Sequence, residues 1–244
     1  MPVVSILLVA DIHSNIHALN AVLNHVDTTY GKPTYTFGLG DFVGYGAFPN
    51  EVLEIAKERF DVMVMGNHDL AVALGNADGF NKDAKQAAMW NYDELTDENR
   101  TFLSILEQQH HFHIFPSWSV FVLHGHPVDP INGYLRPDTP DDKKEEYLKM
   151  IPQSRFLFGG HTHIPMLYQG KGIHGDTIII NPGSVGQPRD RNPQASACLL
   201  YVSEDPNFID VKWIRVDYDI KEAAKEMRGR KLPARLSERL IFGE

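Results

Sequence analysis

The chain has a single cysteine among its 244 residues, Cys198, so no disulfide can form within it. It also lacks any apolar run near the roughly 20 residues of a membrane span. With 43% hydrophobic residues, the composition predicts a soluble protein with a sizeable core and no membrane contact. Positive charge is scarce: 23 Lys and Arg stand against 32 Asp and Glu, a formal charge of −9. That balance removes any general attraction for DNA, RNA or an anionic surface. It does not exclude one cleft made positive by bound divalent cations. The opening Met1-Pro2-Val3-Val4-Ser5 has no basic segment and no small-residue cleavage site, so a cytoplasmic location is expected. No repeat, low-complexity stretch or linker divides the chain, so residues 1–244 are expected to form one domain.

Histidine is abundant, with twelve in the chain. Five of them, His13, His68, His124, His161 and His163, fall in short Gly- and Asp-rich motifs at the ends of predicted strands. Val3–Ala10 is a β-branched apolar run ending at Asp11, the pattern of a strand buried on both faces. Ile16, Leu19, Leu23 and Val26 follow at helical spacing, with Ser14 or Asn15 as cap. A strand at Thr34–Phe37 runs into Gly38-Leu39-Gly40-Asp41, Pro49–Phe60 reads as a helix, and a strand at Asp61–Met65 ends in Gly66-Asn67-His68-Asp69. From Asp83 to about Gln109 the pattern is helical, with Ala87, Ala88, Leu95, Phe102, Leu103 and Leu106 inward.

Ser119–Leu123 is a strand ending in His124-Gly125-His126-Pro127. Residues 128–150 read as a long loop and a charged helix inserted beside these motifs. Strands at Arg155–Phe158 and Thr177–Ile180 lead to Gly159-Gly160-His161-Thr162-His163 and Asn181-Pro182-Gly183-Ser184. Ala195–Val202 and Phe208–Val216 read as an antiparallel hairpin, and Leu232–Leu240 as a docked helix. The order predicts an α/β fold with its ligand crevice at the carboxyl ends of the strands.

The strand-end residues are Asp11, His13, Asp41, Asn67, His68, His124, His161 and His163. Carboxylate, amide and imidazole together suit borderline divalent metals, and a two-metal centre needs about eight to ten ligands with one shared. A carboxylate has two oxygens to offer two ions, whereas a neutral imidazole offers one nitrogen to one, so the shared ligand is expected to be an Asp. Any one of these histidines alone reads equally as a cap or a satisfied loop residue. Several glycine-bounded motifs in one α/β order do not.

Asp11-x-His13, Gly40-Asp41, Gly66-Asn67-His68-Asp69, His124-Gly125 and Gly160-His161-Thr162-His163 resemble the five-block signature of the calcineurin-like metallophosphoesterases, over most of residues 5–190. Gly40–Gly46 with Pro49-Asn50-Glu51-Val52, and Asn181–Asp190, resemble a prokaryotic branch of small phosphodiesterases and phosphatases. The resemblance implies a four-layer α-β-β-α sandwich of two packed mixed sheets. It implies two divalent ions, manganese first with iron, zinc, nickel or cobalt as alternatives. Asp11, His13 and His163 would hold one, and Asn67, His124 and His161 the other, with Asp41 bridging. His68 matches the residue that contacts the scissile phosphate and aids the leaving group. The activity implied is hydrolysis of small phosphodiesters or nucleotide phosphates by in-line attack of a hydroxide held between the ions. An imidazole near its ordinary pKa of about 6.5 suits the role given to His68.

The Asp-Arg pair of the protein Ser/Thr phosphatase branch is missing here, where the block reads Gly40-Asp41-Phe42-Val43-Gly44-Tyr45-Gly46. That argues against this branch, while dinucleoside polyphosphates stay within reach as substrates. Arg189 is a candidate replacement contact for an anion and Tyr45 for a leaving group; a surface Arg and a scaffold Tyr are the plain alternatives. His126 either supports its neighbour His124 or is ordinary loop, and Asp69 orients the turn. His111 and His113 share one strand face and are expected as edge-strand polar residues, and Lys143-Lys144-Glu145-Glu146 as a solvated helix face. Cys198, in the apolar stretch Ala195–Val202, is expected as a buried thiol without catalytic role. Two further readings compete. A nuclease of this fold is disfavoured by the acidic charge and by the lack of room for a DNA-contacting cap. A metal-binding interaction scaffold of the same fold is disfavoured by the full set of ligand types.

Overall fold

The computed structural model describes residues 2–116, 118–173 and 175–244. The first half runs β1 (Val3–Val9), α1 (Ile16–Thr29), β2 (Tyr35–Gly38), α2 (Pro49–Arg59) and β3 (Val62–Met63). Three helices follow, α3 (Asn67–Leu74), α4 (Lys82–Glu94) and α5 (Asp97–Ser104), and then β4 (Gln109–Phe115) and β5 (Trp118–Leu123). The second half runs α6 (Asp141–Leu148), β6 (Phe156–Phe158), β7 (Met166–Gly172), β8 (Gly175–Asn181), β9 (Ala195–Ser203) and β10 (Ile209–Val216). It closes with α7 (Ile220–Gly229) and α8 (Ala234–Phe242).

Two five-stranded mixed sheets result, ordered β10-β9-β1-β2-β3 and β4-β5-β6-β8-β7. Strands β1, β2 and β3 are parallel, as are β5, β6 and β8, while β9, β10, β4 and β7 pair antiparallel at the flanks. Alternation along each strand sorts the core into layers. Ile6 and Leu8 of β1 face the second sheet and pack with Phe37, Val120, Val122, Phe156, Phe158 and Leu200. Leu7 and Val9, the alternate set, pack outward on Leu19, Val22 and Val26 of α1 and Val52, Leu53 and Ala56 of α2. On the far side Phe121, Leu123, Leu157 and Ile179 meet Tyr147 and Leu148 of α6. The architecture is the expected four-layer α-β-β-α sandwich.

Several local expectations change. Asn15 caps α1, its side chain accepting the Ala18 N–H at 3.1 Å. The single helical stretch predicted from Asp83 is two helices, because the backbone turns extended at Leu95 and Thr96 and the Thr96 side chain caps α5. Of the strand predicted over Asp61–Met65, Val62 and Met63 pair with β2; beyond them Val64 makes an isolated parallel bridge to Glu107, whose carbonyl the Met65 N–H bonds. Helices α3 and α7 and strand β7 escaped the periodicity reading. Lys144 is buried rather than solvated: its Nζ reaches the Pro137 carbonyl at 3.0 Å and lies 4.8 Å from the Tyr168 ring centre. The chain of the 128–140 loop thus folds down over α6.

Candidate metal centre

Each candidate side chain leaves the carboxyl end of a strand: Asp11 and His13 after β1, Asp41 after β2, Asn67 and His68 after β3, His124 after β5, and His161 and His163 after β6. The turns that follow are unusual. Asp11, His13, Asp41, Tyr45, His161 and His163 all hold φ between 49° and 65°. Non-glycine residues in this left-handed region cost about 1 kcal/mol or more each and persist where surrounding structure fixes them. Glycines are required beside them. Gly44 has φ +91° and a Cβ there would strike the His68 ring, while one on Gly66 would strike the Asp41 carboxylate.

Backbone and amide contacts pin these turns. Asp69 accepts from Gly66 N–H (2.9 Å) and Val43 N–H (3.1 Å), tying α3 to the Asp41 turn as expected for an orienting residue. Asn91 of α4, unmarked by any sequence signal, accepts from Ser14 Oγ and Gly44 N–H and donates to the Gly46 carbonyl. Asn181 donates to the Gly160 carbonyl at 2.6 Å, and Ser184 Oγ donates to the Asp11 carbonyl at 2.7 Å. The Asn181–Ser184 motif therefore buttresses the His161 and Asp11 turns.

The side chains converge on two groups of potential donors. One atom each from Asp11, His13, Asp41 and His163 lie within 4.8 Å of one another, and so do atoms of Asp41, His124 and His161. Asp41 belongs to both, with Oδ2 3.6 Å from His13 Nε2 and 3.4 Å from His124 Nε2. His13 Nδ1 donates to the Val43 carbonyl, His124 Nδ1 to Leu39 and His163 Nδ1 to Gln187, at 3.1, 2.7 and 2.5 Å. A carbonyl only accepts, so in each neutral ring Nδ1 carries the proton and Nε2 presents a lone pair inward. The Nε2 atoms of His13 and His163 face each other at 3.1 Å, a repulsive pairing for two lone pairs that a cation between them relieves. Asp11 Oδ2, Asn67 Oδ1 and His161 Nε2 are buried without a hydrogen-bond partner among the described residues. Such a nitrogen and oxygen set fits borderline divalent metal ions.

Burial holds the His13 and His163 rings far below the ordinary histidine range, and takes His161 down to about 3 with help from His124. For His124 burial acts the same way but the Asp41 and Asp11 carboxylates outweigh it and raise it to about 9. Burial raises Asp11 to about 8 against the pull of His124, whereas Asp41 is held well below the carboxylate range, burial being overcome by His124 and His68. His68 departs from expectation. Burial, reinforced by Arg189 and opposed by Asp41, lowers its ring to about 4, so in the free cleft it is neutral rather than half-protonated near pH 6.5.

Asn67 and His68 open into the same cleft as Asp41, His161, His163 and Arg189. Arg189 donates Nη2 to the Tyr45 hydroxyl at 3.2 Å and to Gln187 Oε1 at 3.3 Å. Tyr45 is largely buried, its ring 4.3 Å from His13 and 4.4 Å from His68, so it packs the imidazoles and steadies Arg189 while also lining the cleft. Sequence reasoning missed Tyr134 and Phe80, whose rings lie 4.1 Å from His161 and 4.6 Å from His68. Only the place of Tyr134 in the 128–150 segment hinted at it. His126 stacks on Tyr147 at 4.5 Å and accepts from Asp129 N–H, which makes it part of the loop's own structure. His111 and His113 are exposed on the edge strand β4 and join no three-donor group among the described residues. Cys198 lies in the intersheet core, its thiol pushed to about 12 by burial.

A buried carboxylate and imidazole cluster at the strand ends of an α-β-β-α sandwich defines a metal-dependent hydrolase. The chain belongs to the calcineurin-like phosphoesterase superfamily, whose domain profile matches residues 4–205, and it is accordingly a metallophosphoesterase. It is 38% identical to an uncharacterised protein of Methanocaldococcus jannaschii, MJ0912, over 98% of each chain. A metallophosphoesterase structure from Sphaerobacter thermophilus matches with 30% identity and a TM-score of 0.80 over all of both chains. The hypothetical protein PH1004 of Pyrococcus horikoshii shares the fold at 24% identity, with a TM-score of 0.83 over 99% of each chain. Among the described residues no helix is long and apolar enough to cross a membrane.

Proposed function

We propose that this chain is a cytoplasmic enzyme that hydrolyses small phosphodiesters or nucleotide phosphates with two divalent ions, manganese before iron, zinc, nickel or cobalt. Residues 1–244 act as one unit, with 128–150 forming a wall of the cleft. Asp11, His13 and His163 would hold one ion and Asn67, His124 and His161 the other, with Asp41 offering a carboxylate oxygen to each. The observation that carries this reading is the sharing of Asp41 between two donor groups. Bound ions of this kind supply hydroxide near neutral pH and offset the charge of the phosphoryl oxygens.

The chain's own residues do the rest. The carbonyls of Val43, Leu39 and Gln187 fix the tautomers of His13, His124 and His163, so no ring must reorient to bind. His68 is placed by its N–H, which donates to Asp41 Oδ1 at 2.8 Å. Its neutral ring donates its N–H to the phosphate and steadies the charge that develops on the departing oxygen. Arg189, held by Tyr45, contacts a non-bridging phosphoryl oxygen.

The test is release of p-nitrophenol from bis-p-nitrophenyl phosphate by metal-stripped protein reloaded with one metal at a time. We expect turnover with manganese, its loss in Asp41→Asn, and a fall in kcat of about 100-fold or more in His68→Ala. Tight metal uptake without hydrolysis of any ester under any first-row metal would replace the enzyme by the interaction scaffold.

A further inference from the structure

The cations of this acidic chain are arranged unevenly. Arg59, Arg100, Arg215 and Arg230 are each paired with a carboxylate, of Asp27, Asp97, Asp190 and Glu94 respectively. Arg189, facing the candidate metal centre, instead bonds the neutral Tyr45 and Gln187. A second cleft adjoins the first through Asn81, which lines both. Its other lining includes Lys82, Arg235 and Arg239, with the carboxylates of Asp83 and Glu244 offsetting part of their charge.

Arg235 and Arg239 stand four residues apart on α8 and so share one face of it. Arg239 is half-buried, with Nε donated to the main-chain oxygen of Glu244 at 2.6 Å. Burial and then the positive field of Arg189 push its guanidinium below its ordinary value, with Arg235 acting the same way and Tyr45 and Glu244 opposing. Arg239 therefore stands in the fields of both Arg189 and Arg235, between the metal cleft and the exposed end of α8. Like charges held together destabilise a fold unless an anion sits among them. Guanidinium is also the group best matched to phosphoryl oxygens, and Lys82 adds a further cation at the cleft wall.

We propose that Arg239 and Arg235 continue the cation line from Arg189 as a track that holds a second phosphoryl group of the substrate along α8, while the scissile one sits over the metal centre against Arg189. The inference rests on the phosphoesterase reading of that centre and names its substrate class: esters carrying a further phosphate. That phosphate comes either from an anhydride-linked chain or from an ester elsewhere on the same molecule. Tripolyphosphate and adenosine 3′,5′-bisphosphate represent the two sources, with orthophosphate as the single-phosphoryl reference.

Binding of the three probes to the manganese-loaded protein is measured calorimetrically at fixed free manganese. We expect one of the two larger probes to bind at least about tenfold tighter than orthophosphate, the scale of one charge-assisted contact. Arg235→Gln and Arg239→Gln should each remove most of that preference, and Arg235→Lys should retain part of it. Arg235 is exposed, so its variants stay informative if loss of the Glu244 contact unsettles α8 in Arg239→Gln. Equal binding of all three probes, or an unchanged preference in folded Arg235→Gln, overturns the track. Hydrolysis of bis-p-nitrophenyl phosphate in parallel separates the two ideas. Turnover without a preference removes the track alone, and a preference that depends on Arg235 without turnover removes the catalytic reading alone.

Discussion

The intersheet core and the strand-end cluster are buried to the same degree, yet they are built on opposite terms. In the core Phe37, Phe156 and Phe158 are fully enclosed among aliphatic strand residues, and burial keeps the ionisable Cys198 thiol neutral. At the strand ends Asp11, Asp41, His13, His124 and His163 are equally enclosed, all but His124 with left-handed backbone, and the His13 and His163 Nε2 lone pairs face each other. The first arrangement stabilises the fold through area removed from water. The second lowers stability in the absence of cations, and it persists because the sheets and the Asn91 and Asn181 contacts hold its turns. A site of this kind is preorganised by the scaffold rather than assembled by its ligand.

Two substitutions sharpen that contrast most. Phe158→Ala should destabilise the protein by about 3–5 kcal/mol, the cost of an emptied aromatic site in a packed core, read as a lowered denaturant midpoint. Asp41→Asn should cost the metal-free protein less than that, because the amide oxygen can still accept the His68 N–H and His124 sheds its proton once the carboxylate is gone, while manganese affinity falls by more than about 100-fold. Equal destabilisation by both would erase the distinction.

A second prediction concerns protons. In the metal-free cluster His124 is raised to about 9 and Asp11 to about 8, so both hold a proton at neutral pH. Metal ligands must be deprotonated, so uptake near pH 7 should release protons, and affinity should rise with pH until about 9. Calorimetry in buffers of different ionisation enthalpy reads the release directly. Affinity independent of pH between 6 and 9 would show that the cluster is already deprotonated.

The smallest effect lies in the core. With its thiol pushed to about 12, Cys198 should stay unreactive toward an aromatic disulfide reagent at pH 8 and react promptly once the chain is unfolded. Prompt reaction of the folded protein would mean that the intersheet layer opens far more readily than its packing implies.

Much of this contrast was legible in the sequence where it is written locally. An apolar run that stops at Asp11, or a Phe-Leu-Phe strand that stops at Gly159-Gly160-His161, states both a strand and what stands at its end. The layer order followed from the same runs together with the family signature. What escaped depends on residues distant in sequence. Asn91 looks like any helix position, and only the fold reveals that it holds Gly44 and Gly46. Lys144 sits in a run of charges with no periodic face, and its burial comes from the loop that descends to Pro137. Helix α7 is the exception, since Ile220, Ala223, Ala224 and Met227 stand at helical spacing and state it locally. The low pKa of His68 comes from the enclosure made by Tyr45, Phe80 and His13 around its ring, which no spacing rule contains.

The central claim is that Asp41 joins two metal sites into one catalytic centre. Metal-stripped protein titrated with manganese, with bound metal counted by mass spectrometry and bis-p-nitrophenyl phosphate turnover followed in the same samples, tests it most directly. The account predicts that turnover rises only as a second equivalent binds, and that Asp41→Asn neither retains two ions nor turns over. Full turnover with a single bound ion per chain, or two ions retained in an active Asp41→Asn protein, would contradict it.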